Sequence, residues 1–114
     1  MAITNLERVK MEVGITMPDD QLSVYLEEEG LTPTDTYDSS SPVSKRKLLL
    51  TTLAILNSIA NNPSYMKNYK EDDITISAFA ENLQNRIDQI ERKLRLLPMD
   101  ANQNESSIFF LFNN

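Results

Sequence analysis

From Ile76 to Leu97, apolar residues recur at alternating steps of four and three: Ile76, Ala80, Leu83, Ile87, Ile90, Leu94 and Leu97. Only an α-helix gathers such positions on one side, because its turn of about 3.6 residues brings i, i+4 and i+7 nearly into line. The spacing therefore predicts a helix with an apolar seam about three heptads long. At 1.5 Å per residue it would extend ~33 Å, enough to reach past a domain of 114 residues. Arg86, Asp88, Glu91, Arg92, Lys93 and Arg95 flank the seam, either solvating the surface or pairing across copies. The seam itself needs an apolar partner, from this chain or from a second one.

Local signals place the other helices. Thr4-Asn5-Leu6-Glu7 reads as a capping box, in which the Thr hydroxyl and the Glu carboxylate satisfy free backbone N–H groups. Leu6, Val9 and Val13 then line one side of a first helix, which Gly14 ends as a left-handed C′ residue. After Pro18, Asp19 is expected to cap a second helix presenting Leu22, Tyr25 and Leu26, closed by Gly30. Those are the chain's only 2 glycines, too few for an all-β chain built on tight turns. Leu31 to Ser41 reads as a loop anchored by Tyr37.

Ser41-Pro42 opens a third helix, with proline in the first turn where its missing N–H costs nothing. It runs to about Asn61 with two adjoining stripes, Leu49, Leu53, Leu56, Ala60 and Leu48, Ile55, Ile59. Apolar over so wide an arc, it is the expected central helix. Asn61-Asn62-Pro63 ends it, and Ser64 to Asp73 follows as a connector whose Tyr65, Met66 and Tyr69 read as core packing. Ile74-Thr75-Ile76 alternates like a very short strand. With Thr75 as N-cap, however, Ile74 and Phe79 take hydrophobic-staple positions, which favours helix. Pro98 stops the last helix. The expected architecture is all-α: a single domain of about four helices over residues 1–97, then a linker and an apolar tail over 98–114.

That tail is the main candidate binding element. Behind the polar stretch Pro98 to Ser107 stand Ile108, Phe109, Phe110, Leu111 and Phe112, which include three of the chain's 4 phenylalanines. Such a pentad either folds back on its own core or plugs another molecule. Full burial would gain ~1.5–3 kcal/mol per side chain, against ~1–2 kcal/mol per residue for ordering the backbone. One docking event is modestly favourable, and repetition around a ring makes it strong. The linker reaches ~17 Å as a coil and at most ~35 Å extended, distances that suit an adjacent protein.

Composition removes most chemistry. With Cys 0 and His 0 there is no disulfide framework, no thiolate metal site and no Ser-His-Asp or Cys-His arrangement. Two separated glycines make no phosphate-cradling loop. Glu71-Asp72-Asp73 is the best carboxylate cluster, but it lacks calcium-loop spacing, and favourable charge at a helix start explains it as well. No catalytic residue, cofactor or metal is expected.

The net charge of -6 opposes non-specific nucleic-acid binding. Between Met11 and Ser44 there is no Lys or Arg, whereas Glu12, Asp19, Asp20, Glu27, Glu28, Glu29, Asp35 and Asp38 are acidic. Bases gather later, beginning at Lys45-Arg46-Lys47, which reads as a solvated turn rather than a phosphate contact. The acids form either a solvated face or one side of a contact between oppositely charged copies. No basic start followed by an apolar run marks a signal peptide. Leu48 to Met66 is too interrupted to span a bilayer, so a soluble, non-secreted protein made in a cytoplasm is expected.

The order of these elements resembles the small head–tail connector (adaptor) proteins of tailed bacteriophages and prophages. The likeness lies in the capped first helix at Thr4-Asn5-Leu6-Glu7 and in the Asp19-Asp20-Gln21-Leu22 helix ending at Glu29-Gly30-Leu31. It continues through the Leu-rich helix from Lys45 to Ala60, the Asp73-Ile74-Thr75-Ile76-Ser77 lead-in and the amphipathic last helix. The resemblance implies a non-enzymatic helical subunit that oligomerises as a ring in the virion neck, beneath the portal. It also implies anchoring to a portal or neighbouring neck protein through a terminal segment, here Ile108 to Phe112. The acidic balance would keep a channel wall from gripping DNA. The alternative is a small cytosolic regulatory or chaperone-like module that dimerises through the last helix, with Leu83, Ile87, Ile90 and Leu94 as the seam.

Overall fold

A computed structural model describes residues 2–62, 64, 66–67 and 74–97 of the chain. Among them are four helices and no strand: α1 (Asn5–Val13), α2 (Asp19–Glu28), α3 (Pro42–Ala60) and α4 (Ile76–Leu96). The fold is all-α. None of these helices is long and apolar enough to cross a membrane. The sequence readings at Pro63, Tyr65, Tyr69, Glu71-Asp72-Asp73 and the whole of 98–114 lie outside the described residues.

Helix ends follow local chemistry. Thr4 accepts a hydrogen bond from the Glu7 amide, and the Glu7 carboxylate accepts one from the Thr4 amide, completing the capping box. Gly14 ends α1 at φ 72°, its N–H donating to the Lys10 carbonyl. At the end of α2, Gly30 (φ 83°) donates to Glu27 and Leu31 donates to Leu26, the paired bonds of a Schellman motif. Leu26 and Leu31 both lie in the core, adding the apolar contact this motif favours. Ser41 caps α3 and Thr75 caps α4 through their hydroxyls.

One cap differs from expectation. Pro18, in an extended conformation, precedes α2 and makes no side-chain cap bond, so Asp19 is the first helical residue. Its carboxylate instead meets Lys10 Nζ at 2.8 Å, tying α2 to α1. Asp19 and Asp20 still favour the positive end of the helix dipole.

Helix α3 is the hub, packing against each of the other three helices, and its contact with α4 is the most extensive. Leu48, Ile55, Leu56 and Ile59 are almost wholly buried, while Leu53 and Ala60 are partly buried at the edge of the core. Val9 and Val13 meet this core from α1, Leu22 and Leu26 from α2, and Phe79, Leu83, Ile87 and Ile90 from α4. Thr51 and Thr52 are fully buried as well. Their hydroxyls donate to the Lys47 and Leu48 carbonyls one turn back, at 2.8 and 2.9 Å, so neither brings an unpaired polar group into the core.

The loop after α2 doubles as a strap across the start of α1. The Asn5 and Leu6 amides donate to the Asp35 and Pro33 carbonyls, and the buried Asn5 side chain donates to Thr32 at 2.9 Å. The Tyr37 amide donates to the Ile3 carbonyl, and Thr4 bridges Thr36. Amides left free by the first helical turn thus find carbonyls from a distant loop. Tyr37 is the loop's anchor, half-buried with the Arg8 guanidinium 5.6 Å from its ring centroid.

Candidate functional site

Both α1 and α4 rest on α3, and a crevice runs between them. Side chains of Glu12, Arg86 and Lys93 bridge it and divide it into two cavities. The larger, about 530 Å³, lies toward the end of α1 and the start of α4. Its walls include Val13, Ile15, Leu56, Ile74, Phe79 and Leu83. The smaller, about 370 Å³, lies at the opposite end, where Arg8, Lys45 and Lys93 surround Leu48, Leu49, Leu96 and Leu97. Both volumes fall within the ~300–1,000 Å³ range of ligand pockets.

The bridge centres on one carboxylate. Glu12 is 5 % exposed, and Arg8 Nη2 meets its Oε1 at 2.9 Å from the preceding turn of α1. From α4, Lys93 Nζ reaches Oε2 at 2.8 Å and Arg86 Nη2 stands 3.5 Å from the same oxygen. Arg86 also donates to the Glu12 backbone carbonyl. Burial pushes the Glu12 carboxyl up, but hydrogen bonds and charge from Lys93 and Arg8 outweigh it and hold the group below its ordinary value. Glu12 therefore belongs to an internal clasp between α1 and α4. Sequence reasoning placed it in an acidic face, and read Arg86 and Lys93 as solvating the surface or pairing between copies. Lys93 lies 81 positions away in the chain, so no local spacing announced the clasp.

The clasp leaves positive charge in excess. Three cations share Glu12, and Lys45 stands exposed at the rim of the smaller cavity. Of the remaining described acids, Asp19, Asp20, Glu27 and Glu28 lie exposed on α2, and Glu81, Asp88 and Glu91 lie exposed on α4. Asp38 accepts hydrogen bonds from the Ser40 hydroxyl and amide, which lower its carboxyl below the usual range.

The seam proposed between copies lies inside this subunit. Leu83, Ile87 and Ile90 are buried against the core, and Leu94 and Leu97 are partly buried on it. Of the seam, Ile76 alone is substantially exposed, at the first turn of the helix. A second copy finds no continuous apolar stripe on α4, because α3 already covers it. Ile108, Phe109, Phe110, Leu111 and Phe112 lie outside the described residues. Among the described residues, no three Asp or Glu side chains converge as a metal site would require.

Comparison with protein-family models, with curated proteins and with solved structures finds no match to this chain.

Proposed function

We propose that this chain is a non-enzymatic structural subunit of a phage head–tail connector ring. On this reading it docks to a portal or neighbouring neck protein through Ile108 to Phe112. The observation that carries the reading is the consumption of the α4 seam within the subunit. With Leu83, Ile87 and Ile90 covered by α3, the pentad is the largest apolar group of the sequence that the described core does not use. Association then rests on that pentad and on charged surfaces, an arrangement that suits subunits kept apart until a partner gathers them. The acidic exterior of α2 in one copy faces the basic residues of the next.

The test mixes the purified chain with an assembled phage portal, followed by native mass spectrometry and negative-stain microscopy. The expected result is a closed ring of this chain seated on the portal. It is lost in a full-length variant carrying Phe109→Ser, Phe110→Ser and Phe112→Ser. A chain that stays monomeric and ignores the portal overturns the proposal.

A further inference from the structure

The smaller cavity is apolar and basic at once, and one segment of this chain has matching apolarity and opposite charge. Leu48 and Leu49 form its floor, and Leu96, 76 % exposed, stands at its lip. Among the described lining residues, Arg8, Lys45 and Lys93 outnumber one carboxylate, Glu12, in a chain whose net charge is -6. From Pro98 to Asn114 the sequence carries Asp100 and Glu105 but neither Lys nor Arg, together with the apolar run Ile108 to Phe112. The geometry points to this groove as the seat of Ile108 to Phe112 of the same subunit, with the acidic linker held near Arg8, Lys45 and Lys93. The tail is latched on its own domain until a partner takes it.

Reach separates the two cavities. Segment 98–114 departs from Leu97, itself part of the groove wall, so a linker with a coil reach of ~17 Å need only turn back. The larger cavity begins at Arg86 and extends to Phe79, roughly 17–27 Å back along α4, so most of it lies beyond that typical reach. Among the described residues that line it, Arg86 alone is charged, so they offer little to an acidic linker. The tether also favours the same subunit over a neighbour. It holds the pentad at an effective concentration on the order of millimolar, so an untethered affinity of ~100 µM would fill the groove about nine-tenths of the time. The inference concerns the free subunit, so it stands or falls separately from ring assembly.

Methyl NMR on the full chain tests it. Spectra of the wild type are compared with those of the full-length Phe109→Ser, Phe110→Ser, Phe112→Ser variant, in which Phe79 is the remaining phenylalanine. Docked rings should shift the Leu48, Leu49 and Leu96 methyls, leave Leu56 and Leu83 in place, and give the same pattern after hundredfold dilution. Lys45→Glu, at an exposed site, should shrink those shifts. Identical spectra for wild type and triple variant would overturn the latch. So would shifts confined to Leu56 and Leu83, shifts that fade on dilution as the tail of another copy would give, or shifts unaffected by Lys45→Glu.

Discussion

Replacing Glu12 by Gln removes one negative charge from the clasp and little else. Gln fills nearly the same volume and keeps one acceptor oxygen, and the Arg86 bond to the backbone carbonyl of residue 12 survives. Lost are the charge-assisted contacts with Arg8 at 2.9 Å and Lys93 at 2.8 Å, and the weaker attraction of Arg86 at 3.5 Å. Breaking a fully buried ion pair costs ~3–5 kcal/mol, mostly because a charge is stranded. Here the stranded groups are cations whose side chains are 27 %, 32 % and 51 % exposed, so water takes up much of the deficit. A fully exposed pair is worth ~0–1 kcal/mol, and the clasp falls between these limits because its carboxylate is 5 % exposed. The expected loss is about 2 kcal/mol, roughly thirtyfold in the folding equilibrium. For a domain near 100 residues that lowers Tm by about 10 °C.

Urea unfolding followed by circular dichroism at pH 7 measures this loss directly, and pH supplies a second test. Glu12 titrates lower in the folded protein than its ordinary value of 4.5, so folding favours the charged form. That contribution is complete above pH 4.5 and disappears as pH falls through the depressed value. Gln does not titrate, so the gap between wild type and variant should narrow below pH 4.5. A gap under ~0.5 kcal/mol at pH 7, the scale of an ordinary surface change, refutes the clasp. So does a gap of the same size at pH 7 and pH 3.

Other substitutions test other parts of the fold. Leu83→Asp puts a charge among buried α3 contacts and should abolish cooperative folding of the monomer, visible as lost helical circular dichroism; a folded monomer released from a dimer would contradict the packing. Ile90→Ala, at a position 0 % exposed, should cost ~2–5 kcal/mol by urea unfolding. Thr4→Ala removes half of the capping box and should cost ~0.5–2 kcal/mol in the same assay. Gly14→Ala meets no atom within 4 Å, so its expected loss of ~1–2 kcal/mol comes only from holding alanine at φ 72°.

Helix ends were legible in the sequence because caps are local. Thr4 with Glu7, Gly14, Ser41 before Pro42, and Thr75 each act within about one turn, and each acts where its spacing places it. The stripes of α3 were legible too, since apolar periodicity reports the face that must be covered. What covers the α4 seam was not, because period alone does not distinguish α3 from a second copy. Buried polar groups divide in the same way. Thr51 and Thr52 pair within their own helix, with carbonyls one turn back, so their partners are local. Asn5 and Glu12 depend on Thr32 and Lys93, 27 and 81 positions away, which meet them only after the chain has folded. The crevice and its unequal cavities arise from that same long-range placement of α1 and α4.

The energetics of the tail explain how a latch on its own groove is compatible with capture by a partner. Seating five apolar side chains gains about 7–15 kcal/mol when burial is complete. Ordering the same five residues costs about 5–10 kcal/mol of backbone freedom, and a cavity of about 370 Å³ does not enclose all five. The net is small, a few kcal/mol at most. A tail held that weakly opens often, and each opening presents three phenylalanines to whatever stands within ~17 Å of Leu97. A partner with a deeper apolar site then needs only a modest advantage to keep the tail, and a ring multiplies that advantage because each seated subunit positions the next. Under the proposed latch, weak self-docking would shield the pentad in the free subunit without competing seriously against the proposed assembly. A tail built into the core as firmly as Ile90 would not exchange.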